Sequence, residues 1–291
     1  MVSRIPNDIF QFSTVSALMA GLCTSGPLAH QLTGYGTHGL GTCSQLNGEV
    51  LFLDSVAYHM TTSPTKNSSQ SMTRAGSSSS DQEALNDAAR ELDPIIKRAA
   101  RDAMLPFVQV TLFRPEFRLP LPLPHSNPLS KTSLLRTLSA PPSPSGPLPP
   151  DLQGATGGPN SYLPFLIRGT FSDLTLRIGG PMKDDSETLA QVTARAPQWR
   201  IKGARGTIFG FLSPRWSNGI SVAGFHGHFI EDEGQGVRRG GHVLDFVVAE
   251  DGEGKVEWGV SGHHHLGLPR GEEWEGLELA VDAEGIAKAE G

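Results

Sequence analysis

Apolar residues along this chain recur first at helical and then at strand spacing, with stretches between them that follow neither. Ser13 or Thr14 can cap a helix in which Val15, Leu18, Met19 and Leu22 fall at i, i+3, i+4 and i+7, with Gly21 and Gly26-Pro27 near its end. Past a Gly-rich turn (Gly34, Gly36, Gly39, Gly41), Glu49 to Asp54 reads as a strand ending in a turn, and Phe107 to Phe113 as another. Residues 81–104 carry charge at helical spacing around Leu85, Leu92, Ile95 and Ile96, which predicts a helix broken or kinked at Pro94. From Tyr162 on, β-branched and aromatic residues alternate between glycine turns. That pattern predicts strands over 164–169, 170–178, 206–211, 220–230, 242–249 and 255–260.

Two stretches have no such pattern. Residues 61–80 are dominated by Ser, Thr, Asn and Gln and bury too little apolar area to offset the entropy of ordering, so a disordered insertion is expected there. Between Leu119 and Pro150 lie ten of the 22 prolines, a density that favours extended polyproline over packed elements. A second insertion is expected over 119–158. The predicted class is α+β with two domains: residues 1–178 as a mixed β-sheet with helices, and 179–291 as a mainly antiparallel sheet or small barrel with a tail.

Composition narrows the function. The formal net charge is −6, from 24 Lys+Arg against 30 Asp+Glu, and no dense cationic cluster is present, which argues against a nucleic-acid partner. No window holds 18 uninterrupted apolar residues, so no spanning helix is expected. Asp8 ahead of the apolar segment Val15 to Cys23, with Arg4 as the lone side-chain cation, reads as mature protein rather than a secretory signal. Cys23 and Cys43 are expected as reduced thiols of a cytoplasmic protein.

The chemistry-bearing cluster is Gly224-Phe225-His226-Gly227-His228-Phe229, followed by Gly240-Gly241-His242-Val243-Leu244-Asp245. On a strand, His226 and His228 project from one face, and His242 at the start of a neighbouring strand can add a third nitrogen. Three histidines around an open position is the composition of a catalytic zinc site. His263-His264-His265 offers further imidazoles, but consecutive strand residues point to opposite faces and cannot all reach one ion; an exposed loop is the expected state.

These residues sit in six ordered blocks that resemble the alpha-acetolactate decarboxylase family. The blocks are Gly41-Thr42-Cys43-Ser44-Gln45-Leu46-Asn47-Gly48-Glu49, Pro106 to Phe113, Gly169-Thr170-Phe171 through Arg177, Arg205 to Phe211, Gly224 to Phe229, and Gly240 to Phe246. The resemblance covers roughly Ile9 to Tyr58 and Phe107 to Gly291. It implies a Zn²⁺-dependent carboxy-lyase that converts 2-acetolactate to (R)-acetoin and CO₂, working as a homodimer. It also implies metal ligands at His226, His228 and His242, and catalytic groups at Thr42, Glu49, Arg177 and a tail glutamate. For the last, Ala289-Glu290-Gly291 fits the family's ending, while Glu284-Gly285 repeats the dipeptide six residues earlier. The chain departs from the family at Cys43, where Phe is usual, at Asn47, where Asp is usual, and after Arg177, where Ile178-Gly179 replaces Thr-Val.

Two other readings fit parts of the sequence. One is a different metal-dependent barrel enzyme acting on a small keto or hydroxy acid. The other is a non-catalytic binding protein that presents the Leu-Pro repeats of Leu119 to Pro124 as a polyproline ligand.

Overall fold

Among the described residues, fourteen strands fall in two sheets. The computed structural model describes residues 5–64, 92–121, 128–138, 157–234, 238–250, 253–279 and 282–290. The first sheet runs in the order β14(His264–Gly267)-β1(Ile9–Phe12)-β6(Phe107–Thr111)-β2(His38–Thr42)-β3(Glu49–Leu53)-β4(Val56–Pro64)-β5(Leu92–Arg98). All its pairs are antiparallel except β1 with β14. The second sheet runs β10(Ala204–Ser213)-β11(Gly224–Glu231)-β12(Gly240–Val248)-β8(Leu163–Arg177)-β13(Gly254–Trp258)-β7(Phe117–Leu121), with β9(Gln198–Ile201) beside β8. β8 is long enough to pair with β10 through its first half and with β12 through its second, so β8, β10, β11 and β12 close into a small four-stranded barrel. This is the expected α+β class, mostly sheet with few helices.

Helices close the ends: α1 (Val15–Met19), α2 (Ala29–Leu32), α3 (Lys131–Leu138), α4 (Leu189–Arg195), α5 (Glu272–Glu275) and α6 (Ala283–Glu290). Thr14 caps α1 as its spacing predicts, with the side chain accepting from the Ala17 N–H. Among the described residues, no helix is long and apolar enough to cross a membrane.

The main apolar core joins the two sheets, with Leu40, Leu51 and Met60 of the first packed among Phe209, Phe229 and Ile230 of the second. Strand alternation explains it. Phe225 and Phe229 of β11 face Phe165, Phe246 and Phe171, while His226 and His228 project from the opposite face. A division at residue 178 does not separate the sheets, because β7 and β8 belong to the second and β14 to the first.

Three expectations meet a different structure. The helix expected over 81–104 is, at Leu92–Arg98, the edge strand β5. The Ile96 N–H points away from β4 to the Arg238 carbonyl (3.0 Å), so Pro94, two residues earlier, faces outward too and deprives the ladder of no donor. The stretch expected as a Pro-rich insertion contributes the end of β7 and all of α3, and Leu129, Leu134 and Leu138 are buried against the barrel. Leucine spacing there outweighs the proline count around it; residues 122–127 and 139–156 lie outside the described residues. Of the Ser-rich stretch, Thr61 to Pro64 complete β4 and 65–80 lie outside the described residues.

Candidate metal centre and active site

The pairing of β8, β11 and β12 assembles the histidines. His228 lies directly opposite His242, and His242 directly opposite Arg177, so these side chains share one face of the barrel wall. His226 follows two residues before His228 on the same face. The three rings form a nearly equilateral triangle, with centroids 5.4, 5.3 and 5.4 Å apart. One nitrogen from each lies within 4.8 Å of the other two, and all three residues are buried.

Two features fit this group to a metal ion. The His228 Nδ1–H donates to the Val50 carbonyl (2.8 Å), which leaves the Nε2 lone pair turned toward the other two rings. Nε2 is buried and makes no hydrogen bond among the described residues. The second feature is protonation state. Burial pushes His228 down to about 4, with Arg177 adding to the effect and the Val50 bond opposing it. Burial likewise holds His226 well below its ordinary value, helped by His228, Arg177 and Lys131. Both are neutral at pH 7, as ligands must be.

The other expected residues gather at the rim. The Glu49 carboxylate stands 3.6 Å from His228 Nε2. Its strand neighbour Thr42 faces it across β2 and β3, and the Thr42 hydroxyl donates to the Gly48 carbonyl (2.9 Å). That bond fixes the turn on which Glu49 stands. The turn carries three left-handed residues, Gln45, Leu46 and Gly48, and is pinned by hydrogen bonds from Gln45 N–H to Cys23 O and from Gly48 N–H to Gly179 O. Arg177 is only 5% exposed, and its Nε has no acceptor among the described residues. A buried guanidinium donor without an acceptor is poised for an anionic ligand.

Thr42, Glu49, Arg177 and His226 line a small cavity whose remaining wall is Leu18, Gly41, Leu46, Phe107, Gly179, Leu189, Val192 and Thr193. The sequence reading missed this apolar wall. Thr188 and Gln191 at the start of α4 form a capping box, a signature that was available to find Leu189 and Val192. Helix α6 packs Ile286 and Ala289 into the cluster that holds Leu18, Leu189 and Val192, which brings the helix end carrying Glu290 to the cavity wall. The Glu290 side chain lies outside the described residues, and Glu284 is exposed on the first turn of the helix. Cys23 and Cys43 are buried and unbridged, and burial pushes their thiols up to about 11 and about 12, so neither offers a thiolate.

Comparison with known proteins bears on this geometry. The family model described as alpha-acetolactate decarboxylase matches residues 9–76 and 90–281. The alpha-acetolactate decarboxylase of Raoultella terrigena is 27% identical over 240 residues, covering 82% of this chain and 73% of that protein. That of Streptococcus thermophilus is also 27% identical over 240 residues, covering 82% and 80%. Among solved structures, a Staphylococcus aureus protein described as similar to alpha-acetolactate decarboxylase superposes with a TM-score of 0.73 at 25% identity, over 98% of this chain and 100% of that one. The Bacillus subtilis strain 168 alpha-acetolactate decarboxylase has the same fold, with a TM-score of 0.73 at 21% identity over 98% and 99%.

Proposed function

The chain belongs to the alpha-acetolactate decarboxylase family, and on that premise we propose that it converts 2-acetolactate to (R)-acetoin and CO₂ with a zinc ion held by His226, His228 and His242. The observation that carries the reading is a buried three-histidine group with a carboxylate at its rim and a guanidinium whose Nε has no acceptor among the described residues. Three imidazoles leave the charge of a divalent ion unquenched, and such an ion supplies Lewis-acid stabilisation of the negative charge that collects on the substrate as an enediolate when CO₂ departs.

The chain's own groups do the rest. Arg177 binds the substrate carboxylate or an enediolate oxygen through paired N–H donors, a geometry that Lys lacks. When the carbon–carboxylate bond breaks, its electron pair stays on the substrate and one proton must be supplied. Glu49, beside His228, is the group we assign to deliver it. Thr42 holds the Glu49 turn in place through Gly48. For the tail carboxylate we assign Glu290 rather than Glu284, because its neighbour Ala289 packs into the cluster beside the cavity whereas Glu284 is exposed on the first turn. Leu18, Leu46, Phe107, Leu189 and Val192 exclude water, which strengthens every electrostatic contact inside.

The proposed enzyme is a cytoplasmic homodimer, and a sedimentation mass of two chains is its check. The activity is tested by supplying racemic acetolactate to zinc-loaded protein. Stoichiometric acetoin is expected; metal binding without acetoin would mean that the substrate assignment is wrong.

A further inference from the structure

His263, His264 and His265 have no part in the chemistry above, and the structure sorts them. His264 turns inward, its ring edge-on to Tyr162 at 4.6 Å, and burial pushes it down to about 4. His263 and His265 stand together on the other side, with rings 6.2 Å apart and inclined by 25°. Both face Asp8. Because β1 and β14 pair in parallel with Ile9 opposite His264, Asp8 falls beside His263 and between the two imidazoles.

The Asp8 side chain is only 3% exposed. Its Oδ1 lies 3.1 Å from His263 Nδ1, and its Oδ2 lies 3.6 Å from His265 Nε2. The second separation is too long for a hydrogen bond. Oδ2 and His265 Nε2 are both shut off from solvent, and neither has a hydrogen-bond partner among the described residues. A buried carboxylate with an unserved oxygen calls for a cation beside it. Two ligands of one tetrahedral ion, each bonded at about 2.1 Å, stand about 3.4 Å apart. The two carboxylate–imidazole separations fall on either side of that distance, whereas the donors of the three residues do not all lie within 4.8 Å of one another as the rings stand.

We propose that Asp8, His263 and His265 form a second divalent-metal site, distinct from the three-histidine centre. Two imidazoles and one carboxylate select an ion of the zinc, copper or nickel class over calcium or magnesium, which favour oxygen shells. The histidine side chains are 62% and 39% exposed, so both rings can swing to bring their nitrogens together over the fixed carboxylate. The ion joins the first strand to an edge strand 255 positions away in sequence, and so acts as a tie across the sheet rather than as a reaction centre.

Zinc content per chain tests the site. Protein stripped with a chelator is reloaded with excess zinc and desalted, then measured beside Asp8→Asn and His263→Ala/His265→Ala. The wild type is expected to retain two zinc ions per chain and both variants one, while His226→Ala/His228→Ala retains the ion at Asp8. Zinc is also expected to raise the thermal midpoint of His226→Ala/His228→Ala protein, and to lose that effect when His263→Ala/His265→Ala is added. The exposed pair of substitutions carries the test where loss of the Asp8 charge prevents folding. A wild-type content of one ion, or no loss of zinc in the His263→Ala/His265→Ala protein, overturns the proposal.

Discussion

His228 concentrates the account at the scale of single residues, because one imidazole touches three features at once. Its Nδ1–H is fixed by Val50, its Nε2 faces the triangle of rings, and the Glu49 carboxylate stands beside it. Arg177→Lys keeps the charge but loses the planar fork. It is expected to lower kcat/KM by on the order of 100-fold with zinc content unchanged, a pairing of kinetics and metal analysis that separates binding of substrate from binding of metal. Glu49→Gln is expected to lower kcat by about 100-fold or more, as loss of a proton donor does. A different prediction concerns pH. Burial pushes His38 down to about 4, with Arg168 adding to the effect and Asp54 and Glu257 opposing it. Its unfolded value is about 6.5, so between those values the unfolded chain binds a proton that the folded one refuses. Stability therefore falls as pH drops from about 6.5 toward 4, and His38→Gln should shallow that fall in urea midpoints measured at pH 7 and pH 5. The grouping of His226, His228 and His242 was legible in the sequence because a period of two puts the first two on one face and a neighbouring strand brings the third. The Val50 carbonyl was not, since any residue supplies one, and neither was Asp8, whose meaning depends on a partner at the far end of the chain.

At the scale of elements, the centre depends on how closely β10 and β11 approach. Gly210 lies opposite Gly227, and a Cβ at Gly210 would come within 2.1 Å of the His226 carbonyl and 2.8 Å of the Gly227 Cα. Gly210→Ala must push the strands apart under His226. It is expected to weaken zinc affinity measurably in a chelator competition, although residue 210 touches no metal. Helix α3 makes a second case. Leu134 is buried in the main core, and Leu134→Ala is expected to cost about 2–4 kcal/mol and to lower the thermal midpoint by several degrees. An unchanged midpoint would mean that the helix is dispensable to the barrel. The strands around the histidines were legible because aromatic and β-branched residues alternate between glycines. The edge strand β5 was not, because Ile95 and Ile96 with flanking charges satisfy a helical pattern as well as a strand, and its pairing with β4 decided the outcome. Helix α3 was hidden by composition: proline density around it masked four residues of spacing between Leu134 and Leu138.

In the whole molecule, the three-histidine group lies where the barrel meets the first sheet, and neither layer builds its surroundings alone. β11 and β12 provide the imidazoles and β8 the guanidinium, while β2 and β3 bring Thr42, Glu49 and the carbonyl that orients His228. The core between the sheets is therefore also what holds the reacting groups in register, and the site should be lost with global unfolding rather than before it. The measurement that tests this account most directly is acetoin formation from acetolactate by three samples of the purified protein: zinc-loaded, chelator-treated and His228→Ala. The account predicts acetoin from the first alone, with activity restored to the chelator-treated sample by zinc and not to His228→Ala. Acetoin formed equally by all three would contradict it, as would zinc-loaded protein that forms none.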